Sequence, residues 1–176
     1  MLERKRKLDC ANGREKADLV LKNGNVLNVF TEEVLKADVA ICGDTIVGVG
    51  EYEGKEEIDC TGKYLVPGFI DAHMHIESCM AAPGELAKVL AKAGTTTIIA
   101  DPHEIVNVSG TKGMDYFLKC AAKLLVNVFF MVPSAVPATD VETNGCGEFL
   151  ASDMMKYVDN ARVPVSYTHL TLPTIA

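Results

Sequence analysis

The sequence predicts an α/β fold in which a small antiparallel β unit precedes βα units laid on a parallel sheet. Three observations predict it. Short alternating strands separated by turn residues fill positions 17–66. From position 67 onward, near-continuous apolar strands alternate with helical patterns. Residues able to carry chemistry gather where those later strands end.

Taken in order, residues 1–16 read as a basic helix or arm. Its cluster Arg4-Lys5-Arg6-Lys7 is mixed with Glu3, Asp9 and Glu15, as on a solvated helix. Residues 17–66 form the small β unit. Ala17 to Lys22 and Val26 to Val29 flank Asn23-Gly24, a strong hairpin signal because both residues tolerate positive φ. Strands over Ala37–Ile41, Thr45–Val49 and Glu56–Asp59 follow, with breaks at Gly43-Asp44, Gly50 and Gly54.

Residues 67–162 then alternate strand and helix. An apolar strand runs over Phe69–His75. Pro83 opens a helix that Gly94 ends. The β-branched run Thr95–Ala100 is a buried strand. Gly113–Leu125 is helical by periodicity, Val126–Val132 is a strand, and Phe149–Asn160 is a helix. These make three βα units, and a fourth is due near Arg162. Instead, residues 163–176 hold Pro164 and Pro173, which suit a central strand poorly, and no helical pattern follows. This tail is read as foreign to the fold, an artefactual or disordered end, and its His169 is set aside.

Composition narrows the function. The chain is 48% hydrophobic with a formal net charge of −7, which fits a soluble globular protein and argues against a nucleic-acid-binding surface. No apolar run follows the basic cluster as a signal-peptide core would, and none is long enough to cross a membrane, so a cytoplasmic location is expected. The six cysteines include no C-x-x-C pair and read as reduced thiols, with Cys79 a small space-filling residue. Phosphate-binding glycine loops and the Gly-x-Ser-x-Gly elbow are absent, as is the Pro-Cys-x-x-Cys signature of one class of zinc deaminases.

The strongest chemical signal is Pro67-Gly68-Phe69-Ile70-Asp71-Ala72-His73-Met74-His75. Residues two apart in a strand share a face, so Asp71, His73 and His75 project together while Ile70, Ala72 and Met74 meet covering helices. Two inward imidazoles and a carboxylate are costly to desolvate unless paired, and a divalent ion pairs them economically. His73 and His75 are therefore the candidate metal ligands. A second cluster, Asp101, His103 and Glu104, ends the next strand. It can supply a further ligand, a substrate contact or an orienting partner for the two histidines. The third strand exits through Pro133-Ser134-Ala135-Val136-Pro137, which can line the same rim.

These segments resemble the metal-dependent amidohydrolase superfamily. Ala17 to Gly24 and Leu65 to Ser78 carry the general likeness. Gly94 to Ile105 and Asn127 to Ser134 narrow it to the adenine deaminase branch, over residues 15 to 162. The resemblance implies an incomplete TIM-like (β/α) barrel, its first three βα units preceded by a small β-sandwich-like domain. It implies hydrolytic deamination of adenine to hypoxanthine and ammonia by a metal-activated water. The ion is expected to be manganese or iron, with zinc as the alternative. His73 and His75 match the first-strand metal ligands, whereas the acid/base groups are expected beyond residue 162. A barrel of this kind takes about 250 residues, so this chain by itself is expected to be inactive. A small purine substrate and a homo-oligomeric parent are expected, with neither nucleic acid nor membrane as partner. The alternatives are another cyclic-amide hydrolase, of dihydroorotase or imidazolonepropionase type, and a non-catalytic metal-binding fragment.

Overall fold

One long strand organises the first of two units, Met1–Pro67, in this computed structural model, which describes residues 2–133, 136, 137, 139, 141, 145 and 148–166. Helix α1 (Leu2–Ala11) leads into β1 (Ala17–Asn28), followed by β2 (Glu33–Cys42), β3 (Thr45–Gly50), β4 (Gly54–Asp59) and β5 (Tyr64–Leu65). They form a single sheet in the order β3-β2-β1-β4, with β5 also on β1. The first three strands are antiparallel, but β4 and β5 run parallel to β1. The unit is therefore mixed rather than antiparallel, and its described strands make one layer rather than a sandwich.

The expected hairpin at Asn23-Gly24 does not form. Strand β1 runs straight through it, and Asn23 takes φ 61° at a bulge where pairing with β2 slips between Leu21 and Gly24. The turn comes later, between Asn28 and Glu33, with Glu32 at φ 59°. Tertiary packing explains the choice. Gly24 lies against Leu65, whose Cδ1 would be 2.5 Å from any Cβ placed there. The bulge also lets the Asn23 N–H donate to Asp38 Oδ1 at 2.9 Å.

Asp38 is buried, yet its partners compensate it. Lys22 Nζ donates to Oδ2 at 2.6 Å and the Tyr52 N–H at 3.2 Å. Burial pushes the carboxyl upward, but these donors win and hold it below the usual carboxylate range. On α1, Lys7 meets Asp44 at 2.8 Å, and Arg6 pairs with Glu15 and Asp18. Cys10, Cys42 and Cys60 are buried free thiols, as expected, whereas Cys79 is exposed and fills no core space. Cys146 lies outside the described residues.

The second unit, Gly68–Ala176, carries a parallel sheet in the order β6-β7-β8-β9. Its strands are β6 (Phe69–Met74), β7 (Thr95–Ala100), β8 (Asn127–Val132) and β9 (Val165–Ser166). The helices are α2 (Pro83–Lys92), α3 (His103–Ser109), α4 (Thr111–Ala121) and α5 (Ala151–Met154). Pro83 at the start of α2 and Gly94 at φ 86° just beyond it delimit that helix as the sequence indicates. Ile98, Ala100, Val128 and Phe130 from the central strands meet Val106, Met114 and Phe117 in one core. The Phe117 and Phe130 rings stack at 5.8 Å. Gly113 permits α4 to approach α3, since a Cβ there would lie 2.6 Å from the Ile105 carbonyl oxygen.

Four local readings change. Helix α3, hidden in the sequence by its β-branched Ile105, Val106 and Val108, is distinct from α4. The helix expected over Phe149–Asn160 shrinks to α5, and Phe149 and Tyr157 flank it as stacked rings at 6.4 Å. Ile70 and Ala72 are exposed rather than helix-covered, because β6 is the sheet's edge; Met74 alone of that set packs on the core. Finally, a fourth parallel strand does begin. Val165 and Ser166 pair with Met131 and Val132, and Phe130 N–H donates to Arg162 O at 2.7 Å. Pro164 sits just ahead of the paired residues, so its missing N–H is not needed by the ladder. The rest of the proposed foreign tail, His169 included, lies outside the described residues, as do Ser134 and Ala135. Among the described residues, no helix is long and apolar enough to cross a membrane.

Candidate metal centre

The site is built where β6 and β7 leave the sheet. Gly68 immediately precedes β6, and a Cβ there would lie 2.2 Å from the Thr96 side chain, so only glycine lets the strands close at this end. At the other end the ladder slips. Asp71 pairs with Ile98 and Met74 with Ala100, so three steps along β6 match two along β7. The extra residue is a bulge around Ala72-His73, a device that re-aims side chains near functional sites. Beyond it, the Asp101 N–H donates to Met74 O at 2.8 Å and draws the two strand exits together.

His73, His75 and Asp101 result as a group in which each offers a ligand atom within 4.8 Å of the others. The imidazoles of His73 and His75 lie edge to face, 5.1 Å between centroids. Asp101 is 1% exposed, and its Oδ2 stands 3.9 Å from His75 Nε2. Its Oδ1 accepts from His103 Nδ1. Glu104 Oε2 lies 2.9 Å from His75 Nδ1.

Both predicted histidines thus come together, and of the second cluster Asp101 enters the group directly. Asp71 does not join it. Its Oδ1 turns back to accept the His73 N–H at 3.1 Å, stiffening the bulge from outside. Two imidazoles and one carboxylate leave open positions on an ion, which suits a catalytic divalent site rather than a closed structural one. The donor set therefore fits a divalent metal.

Sequence reasoning missed Glu77. It opens a 3₁₀ turn, Glu77–Cys79, and its Oε1 accepts the Ile105 N–H of α3 at 3.0 Å. Oε2 is buried with no hydrogen-bond partner among the described residues. Burial pushes this carboxyl above the usual range, against the pull of the Glu77 and Ile105 N–H groups. The available signal was an acidic residue two positions past the H-x-H, at the start of the loop.

Comparison with known proteins matches the description "Amidohydrolase family" over residues 64–166. Over 151 residues, 86% of this chain and 26% of the relative, the sequence is 57% identical to an adenine deaminase of Desulfitobacterium hafniense. It is 50% identical over 157 residues, 89% of this chain and 27% of the relative, to that of Clostridium acetobutylicum. The chain thus spans about a quarter of the length of these relatives. Among solved structures, the zinc- and phosphonate-bound N-acyl-D-glutamate deacylase of Bordetella bronchiseptica shares the fold at TM-score 0.53 and 20% identity, covering 67% of this chain and 30% of that one. With the strand exits, the paired imidazoles and the match across the second unit in agreement, the chain belongs to the amidohydrolase family.

Proposed function

We propose that this chain supplies the first metal-holding strands of an enzyme that converts adenine to hypoxanthine and ammonia by hydrolysis. The observation that carries this reading is the convergence of His73, His75 and Asp101 within 4.8 Å at adjacent strand exits. Identity of 57% to an adenine deaminase supports the substrate, and the parallel β6-to-β9 sheet is consistent with the opening part of a TIM-like barrel.

His73, His75 and Asp101 hold the ion, and His103 fixes the Asp101 carboxylate by donating to Oδ1. Manganese or iron is the ion we favour, with zinc, present in the deacylase, as the alternative. When bound, the ion acidifies water and polarises the carbon under attack, which is the chemistry deamination requires. Asp101, almost wholly buried, ties the two strand exits together so that the donors stay aligned.

The test is ammonia release by the protein carrying this sequence after loading with manganese. Adenine is expected to turn over, and cyclic ureides and imidazolones are not. Turnover of dihydroorotate or imidazolonepropionate with none of adenine would reassign the substrate class. Failure of manganese, iron and zinc all to bind would remove the metal reading itself.

A further inference from the structure

We propose that Glu77 and Glu104 act as one positioning unit that presents His75 Nε2 to the ion; this deepens the metal-centre reading and rests on it. The argument starts from donor chemistry. An ionised carboxylate only accepts hydrogen bonds, so the 2.9 Å contact of Glu104 Oε2 with His75 Nδ1 places the ring proton on Nδ1. Nε2 is left with its lone pair, on the edge of the ring that stands 3.9 Å from Asp101 Oδ2. Glu104 thereby selects the tautomer that binds a metal through Nε2.

Glu104 is half exposed. Its position comes from the first turn of α3, where it follows His103. The next residue, Ile105, donates its backbone N–H to Glu77 Oε1 at 3.0 Å, and Glu77 sits on the turn directly after His75. One carboxylate thus clamps the start of α3 to the exit of β6, and the other uses that clamp to reach the imidazole. The two contacts close a loop from His75 through Glu77, Ile105 and Glu104 back to His75. Glu77 Oε2 is buried with no hydrogen-bond partner among the described residues, so the clamp runs through Oε1 alone.

The experiment uses the 176-residue chain with ¹⁵N-labelled histidine, free of metal, at a pH where the imidazoles are neutral. Long-range ¹H–¹⁵N spectra report which ring nitrogen of His75 carries the proton, and equilibrium dialysis with Mn²⁺ reports affinity. Wild type is expected to show the Nδ1–H form. Glu77→Ala is expected to mix the tautomers and weaken Mn²⁺ binding about 10- to 100-fold. Glu77→Gln, which still accepts the Ile105 N–H, is expected to restore both. Should Glu77→Ala fail to fold, Glu104→Ala removes the acceptor without touching the clamp and must shift His75 toward the Nε2–H form. An Nε2–H tautomer in wild type overturns the proposal, as does a Glu77→Gln variant no better than a folded Glu77→Ala. Because the tautomer is read without metal, an absence of Mn²⁺ binding counts against the metal centre and leaves the positioning result to stand or fall separately.

Discussion

The two units treat buried carboxylates in opposite ways. In the first, Asp38 is met by the Lys22 ammonium and two backbone N–H groups, so its charge is balanced within the protein. In the second, buried Asp101 is joined by the half-buried Glu77 and the more exposed Glu104, and the partners the structure shows for them are imidazoles and a backbone N–H. A neutral imidazole orients a carboxylate without cancelling its charge. The first arrangement is complete as it stands; the second is arranged for a cation from outside. A buried ion pair reads as architecture, and a buried excess of one sign reads as a site.

Four measurements sharpen or break this contrast, taken from the largest expected effect to the smallest. Phe130→Ala removes a buried ring that stacks on Phe117 of α4 within the core and is expected to cost about 3–5 kcal/mol, read as lost amide protection in β7 and β8. Saturating the centre with Mn²⁺ at about 100 times its dissociation constant should stabilise the second unit by about 2.7 kcal/mol. Equal protection of the first sheet's amides by the ion would break the contrast.

Asp38→Asn leaves the Lys22 ammonium without its counter-charge in a partly solvated setting. The expected cost is about 2 kcal/mol, smaller than for a fully buried pair, measured by denaturant titration. The smallest effect is one of pH. Asp38 has a depressed folded-state pKa, so its contribution is present above the unfolded value near ~4 and fades as pH falls through the folded one. Protection in β1 and β2 is therefore expected to drop on acidification below about pH 4. In Asp38→Asn that component disappears, and an unchanged acid profile would show that other groups carry it.

Some of this was legible in residue order and some was not, for physical reasons. Thr95–Ala100 is a strand to the residue, because a β-branched run between Gly94 and Asp101 leaves few other conformations. The paired imidazoles were legible because a two-residue strand period is a local rule. Asn23-Gly24 misled because the same positive φ serves a hairpin or a bulge, and what decides is Leu65, remote in sequence. Asp101 was found as a candidate, but that it and not Asp71 completes the donor group depends on the β6 slip, which involves two strands. Glu77 escaped because its meaning lies in the Ile105 N–H, a backbone atom invisible to any side-chain pattern.

The slipped pairing between Asp71 and Met74 has a bearing on engineering. A designer tidying this edge by deleting one residue would gain a more regular ladder and a better score by any measure of strand geometry. The same edit would swing one imidazole to the far side of the sheet, so the untidy strand is the one that can grip.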